Sequence, residues 1–206
     1  MYSLVEIRIL DAGARSLGKD PVHTRYKNAR IRSMQKRKQT NDPEPWLRGT
    51  LTEVPVVPRA AIHALELAKE DLNRWAAQLT NDEVNARPCG ISSVAFHLRH
   101  IVGSLDRLLT YAEGGKLAPE QMIFLRGELD SVANRESLFQ QLDSAFRHGQ
   151  ARILALATTN LDTKREVGSK RLPTTVGSLL VHVADHTQRH VGQVVTTAKL
   201  ILAQRA

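Results

Sequence analysis

Three of the chain's eight histidines, His182, His186 and His190, stand four residues apart. On an α-helix each such step turns about 40° around the axis, so the three would share one face over about 12 Å of length. Two imidazoles at i and i+4 can close on one divalent ion, as in zinc-binding helices of the H-x-x-x-H kind. All three cannot reach one ion from a straight helix, because about 80° and two turns separate the outer pair. Two of the three are therefore candidates, and at least one more ligand must come from elsewhere. His97 and His100 can supply it, being three apart and interleaved with Leu98 and Ile101 in an apolar stretch. A site of three imidazoles leaves coordination positions for water or substrate, which is the pattern of a catalytic ion, whereas a closed structural site takes a fourth protein ligand. A lone histidine on an apolar face is more often a hydrogen-bonded core residue than a ligand, and His23, His63 and His148 read as structural or exposed. What points to a metal is the coincidence of the repeated-histidine face with a second histidine-bearing segment.

The elements that must position these residues are helical. Ile62, Leu65, Leu72, Trp75 and Leu79 repeat at spacings of three, seven, three and four, one apolar stripe of a first helix running from Pro58 to about Thr80. A second begins after Pro88-Cys89-Gly90, with Ser92 or Ser93 as N-cap. It carries Val94, Leu98, Ile101, Leu105, Leu108 and Leu109 inward and ends at Gly114-Gly115. A short helical segment is expected from Pro119 to Leu129, and a third long helix from about Arg135 through Leu138, Leu142, Ala145, Phe146, Ile153 and Leu156. The fourth starts near Thr174 or Thr175 and runs to about Ala203, carrying the histidine face. No strand pattern of any length is visible, so the expected fold is all-α, a four-helix bundle with the metal site at its centre, built from side chains on facing helices. Pro43, Pro45, Pro55 and Pro58 make residues 43–58 an extended strap leading into the first helix.

Composition bounds the function classes. The net charge is +8, but residues 1–40 hold ten Lys/Arg against three Asp/Glu, a net of +7, which leaves +1 for residues 41–206. The bundle domain, residues 43–206, is thus near neutral, and nucleic acid is expected as a partner only through the arm. Residues 1–42 bury too little to offset the cost of ordering and read as a disordered basic extension. They are a nucleic-acid tail, a solvated extension without function, or the product of an over-extended start with Met34 as the true initiator. A single cysteine, Cys89, excludes an internal disulfide and suits a cytoplasmic protein. No apolar run approaches the roughly 18–20 residues of a membrane span.

Two stretches carry a family resemblance. The segment Ser93-Val94-Ala95-Phe96-His97-Leu98-Arg99-His100-Ile101, continuing through Gly103-Ser104-Leu105-Asp106-Arg107-Leu108-Leu109, resembles the second helix of the DinB-like superfamily of DinB/YfiT-type metalloenzymes. So does the fourth-helix run from Thr175 to Gln193, with its His182, Asp185, His186, Gln188, His190 and Gly192-Gln193. The likeness covers roughly residues 45–203. It implies a four-helix bundle whose metal is bound by one histidine of the second helix, here His100, and by an H-x-x-x-H pair just before the Gly-Gln dipeptide, here His186 and His190. His97 and His182 fall where relatives sometimes carry histidine and would orient a ligand or line the pocket. Gln193 could hold a coordinated water, or equally satisfy a buried backbone group.

For function the resemblance implies a metal-dependent enzyme of small-molecule chemistry, with a divalent zinc, nickel or iron ion activating a low-molecular-weight thiol or water, in the manner of an S-transferase or hydrolase. It also implies a bacterial, cytoplasmic protein able to pair as a homodimer. The alternatives are a metal-binding stress-response bundle without catalysis and, through the basic arm alone, a DNA-associated protein. Asp106 and Asp185 lie near the histidines in sequence, but each is expected to cap, to pair with arginine or to orient an imidazole rather than serve as a base.

Overall fold

The computed structural model describes residues 42–129 and 132–205; the expected basic arm, apart from Asp42, lies outside the described residues. Within them are six α-helices: α1 (Val56–Trp75), α2 (Asn81–Asn85), α3 (Val94–Ala112), α4 (Pro119–Gly127), α5 (Arg135–Ala155) and α6 (Val176–Ala203). Two strands, β1 (Lys164–Val167) and β2 (Leu172–Thr175), lie between α5 and α6. The four long helices close a ring in which α1 packs on α6 and α5, and α3 packs on the same two.

Three of the four long helices begin where a side chain satisfies a free N–H group, and α1 starts instead after Pro55 with no side-chain cap. Ser93 Oγ accepts from Phe96 N at 3.2 Å to start α3, Asn134 Oδ1 from Ser137 N at 3.0 Å to start α5, and Thr175 Oγ1 from Ser178 N at 3.2 Å to start α6. The apolar stripes then meet at the centre. Leu65 and Leu72 from α1, Leu98, Ile101 and Leu109 from α3, Ile153 from α5 and Leu180 from α6 are all fully buried. Removing that area from water, at about 25 cal/mol per Å², is the main force holding the ring together. A polar link also joins α6 to α1, where Gln188 Nε2 donates to the Ala64 carbonyl at 2.7 Å.

Three expectations need correction. The strap from residue 43 to 58 is not extended throughout: Pro45–Leu47 form a 3₁₀ turn, and α1 already starts at Val56. The first helix does not reach Thr80. It gives way at Ala76–Gln78 to a 3₁₀ turn, after which Thr80 and Glu83 form a reciprocal cap and open the separate α2. The fold also has strands. β1 and β2 pair antiparallel from Lys164 opposite Thr175 to Val167 opposite Leu172. Four-residue strands that are exposed or only half-buried carry too little apolar alternation to show in the sequence, and Pro173 masks β2 further by supplying no ladder donor. The hairpin is tied to the bundle by Arg165 Nε, which donates to the Ala112 carbonyl at the end of α3 at 2.8 Å.

Candidate metal centre

The first two turns of α3 face the middle of α6, and this crossing is where the histidines gather. One ligand-capable ring nitrogen from each of His100, His186 and His190 falls within a set whose members all lie within 4.8 Å of one another. Their ring centroids are 4.4 Å apart for His100 and His190, 4.7 Å for His186 and His190, and 5.0 Å for His100 and His186. His186 and His190 come from successive turns of one helix face, so backbone geometry alone sets their spacing. His100 arrives from the other helix, held there by the α3–α6 packing around Leu98, Ile101, Val183 and Val191, which are all buried.

Both outer nitrogens with a described partner have one suited to holding a ring in place. Nδ1 of His100 lies 2.6 Å from Glu128 Oε2, while its Nε2 lies 2.9 Å from Nε2 of His186. Nδ1 of His190 lies 3.0 Å from Nδ1 of His97, which is itself 3% exposed. The Phe96 ring stacks on His100 at 5.7 Å with the planes 19° apart, forming a wall of the site.

Burial governs the protonation of these rings. Desolvation, followed by the charge of His100, pushes His97 down to about 4. The same first cause lowers His186 to about 4, with His100, His182 and Arg189 adding to it and Asp185 opposing. His190 falls furthest, to about 3, through burial and then through His100, His186, His97 and Arg189. Neutral imidazoles are the form that ligates a metal, so at neutral pH His186 and His190 are ready without prior loss of a proton. Three borderline nitrogen donors from two rigid helices fit a divalent ion of the zinc, nickel or iron type.

The other residues singled out by sequence fall as follows. His182 is on the same face but its side chain is 47% exposed, its Nδ1 lies 3.7 Å from Asp185, and it stands outside the three-residue cluster. Gln193 is exposed, less than one turn past His190. Asp106 pairs with Arg152 at 2.7 Å and Asp185 with Arg189 at 2.6 Å, which is one of the three roles expected of them. His63 is buried beside Thr50, its Nε2 3.1 Å from Oγ1, and His148 is exposed beside Ser144. His23 lies outside the described residues.

Sequence reasoning missed Glu128 and Arg107. Glu128 follows the last residue of α4, is 3% exposed, and reaches both His100 and, at 2.7 Å, Arg107 Nη1. Nothing in its local pattern marks it, because the contact exists only once α4 has folded back on α3. A cleft of about 440 Å³ between α3, α4 and α5 is lined by residues including Gly103, Arg107 and Phe124, and not by the three histidines.

No curated protein and no solved structure matches the chain. A family model does, over residues 64–194, and its description is the DinB superfamily. That segment is well over half of the chain and contains His100, His186 and His190, all of α3 and α6 as far as Val194. A helical bundle, a three-histidine cluster across two of its helices and the matched segment agree: the chain belongs to the DinB superfamily.

Proposed function

We propose that this protein is a metal-dependent enzyme acting on a small molecule, with a divalent ion held by His100, His186 and His190. The observation that carries the reading is the convergence of those three ring nitrogens within 4.8 Å of one another at the crossing of two buried helix faces. Bound there, an ion with three protein ligands would lower the pKa of a coordinated thiol or water and make a nucleophile available near neutral pH. The reaction is of the S-transferase or hydrolase kind, with zinc, nickel or iron as the metal and a low-molecular-weight thiol as co-substrate in the first case.

The chain's own residues have separable tasks in this scheme. His100, His186 and His190 hold the ion, and His97 sits beside Nδ1 of His190. The Phe96 ring keeps one side of the site apolar, which limits water and favours a nucleophile over its hydrated form. His182 and Gln193 stand on the open side of α6, where an incoming substrate or a coordinated water would meet them. The enzyme works in the bacterial cytoplasm as a homodimer, and the near-neutral bundle permits such pairing. The +7 charge of residues 1–40 is the one feature that favours the weaker alternative, a DNA-associated protein.

The test begins with metal content after native purification and after loading with zinc, nickel or iron. Close to one equivalent per chain is expected, lost in His186→Ala. A screen of low-molecular-weight thiols with electrophiles, and of hydrolysable esters and amides, should then reveal metal-dependent turnover. Failure of the wild-type protein to retain any of the three metals would sink the proposal. Metal without turnover would leave a binding bundle, and salt-sensitive DNA binding lost on deleting residues 1–40 would assign the arm its role.

A further inference from the structure

We infer that Glu128, aligned by Arg107, is a positioning residue that fixes the tautomer of His100 and so turns its Nε2 lone pair toward the ligand cluster. The inference rests on the metal reading for its purpose but not for its geometry. Glu128 Oε2 is 2.6 Å from His100 Nδ1, and Oε1 is 2.7 Å from Arg107 Nη1. The carboxylate is 3% exposed and the arginine side chain 10%, so the pair is largely shielded from water. Arginine is a donor only and an ionised carboxylate an acceptor only. Arg107 therefore donates to one oxygen, and the other oxygen can only accept from His100, which places the imidazole proton on Nδ1 and leaves Nε2 free as an acceptor. Nε2 is the atom that faces His186, at 2.9 Å.

The third member of the arrangement is a missing side chain. A Cβ on Gly103 would stand 2.5 Å from Glu128 Oε1, 2.6 Å from Arg107 Nη1 and 2.8 Å from Phe124 Cδ1. The glycine leaves room for the ion pair to sit against α3, one turn from His100. Residues 103, 107 and 128 thus form a buried support behind the ring of His100. A partner of this type on the outer nitrogen of a ligating histidine sets ring orientation and raises its basicity.

Replacing the carboxylate by its amide isostere makes a sharp test. In Glu128→Gln, the donor-only Arg107 claims the amide oxygen and the NH₂ turns to His100 Nδ1. That nitrogen must then be the acceptor, and the proton moves to Nε2. In the double variant Arg107→Met with Glu128→Gln, no donor competes for the amide oxygen, so it can accept from Nδ1–H again. The His100 tautomer is read from two-bond ¹H–¹⁵N correlations in metal-free protein labelled at histidine, and zinc affinity from competition with a chromophoric chelator. The expected results are Nδ1–H in the wild type, Nε2–H in Glu128→Gln with an affinity loss of about 10- to 100-fold, and recovery of both in the double variant. An Nε2–H tautomer in the wild type overturns the inference without need of any variant. So does a Glu128→Gln protein with unchanged tautomer and unchanged affinity. If the wild type binds no zinc while the tautomers shift as described, the metal reading fails and the role of Glu128 in orienting His100 stands.

Discussion

The five histidines at the α3–α6 crossing differ in their neighbours, and the differences separate holding from supporting. His190 is in the three-nitrogen cluster and its Nδ1 is 3.0 Å from His97, whereas His182, equally in register on α6, has a side chain 47% exposed and points to Asp185. Replacing His97 by Phe keeps the buried volume but removes the group beside His190 Nδ1, so zinc affinity should fall about tenfold or more. His182→Ala should leave affinity within experimental error, and His190→Ala should reduce it to the level of a protein without a site. Chelator competition on the three variants measures this series, and equal losses for His97→Phe and His182→Ala would contradict it. The H-x-x-x-H face was legible in the sequence because it depends only on helical periodicity. Which two of its three histidines would join His100 was not settled by periodicity, and the family resemblance supplied that choice. Glu128 was illegible, since its nearness to His100 arises from a chain reversal 28 residues long.

At the scale of elements, two helical glycines with opposite surroundings make a paired prediction. Gly192, in α6 two residues past His190, would place a Cβ in open space, with nothing within 4 Å. Ala there should stabilise the fold by about 0.5–1 kcal/mol, because glycine gives up more backbone freedom in a helix interior. Gly103 has the same intrinsic preference to gain, but a Cβ would meet Glu128, Arg107 and Phe124 all below 3 Å. The overpacking cost of about 1–3 kcal/mol should outweigh the gain and push α4 from α3. Urea unfolding of Gly192→Ala and Gly103→Ala measures both, and a stabilised Gly103→Ala would mean that the ion pair is not tightly seated. The long helices were readable from apolar stripes and caps such as Ser93. The short α2 and the β1–β2 hairpin were not, because elements of four or five residues owe their form to Thr80–Glu83 capping and to anchors such as Arg165 on Ala112, not to periodicity.

For the whole molecule, the apolar stripes located the core, but nothing in the sequence told how the buried histidines would respond to acid. Three of them are held below their ordinary value near 6.5, His97 and His186 at about 4 and His190 at about 3, all chiefly by burial. Unfolding exposes these rings and lets them take protons that the folded state refuses. The metal-free fold therefore has its full stability above the unfolded value, loses it as pH falls from about 6.5, and has lost this contribution once pH passes below the folded values. Glu83 acts in a lower window. Its carboxylate accepts from Arg205 Nε at 2.6 Å and caps α2, and Arg205 first among the causes holds it at about 2 instead of 4.5. It stabilises the fold above the ordinary carboxylate range, and that contribution disappears as pH drops toward 2. Urea midpoints of metal-free protein between pH 8 and pH 2 should thus fall in two stages, histidines first and Glu83 second. Glu83→Gln should shrink the lower stage alone, to which Asp143 beside Lys69 also contributes, because glutamine keeps most of the shape but cannot titrate. Substituting His97 by Phe should shrink only the upper one. A midpoint flat between pH 7 and pH 4 would mean that the rings at the α3–α6 crossing meet water freely in the folded state, which is incompatible with a desolvated three-histidine centre.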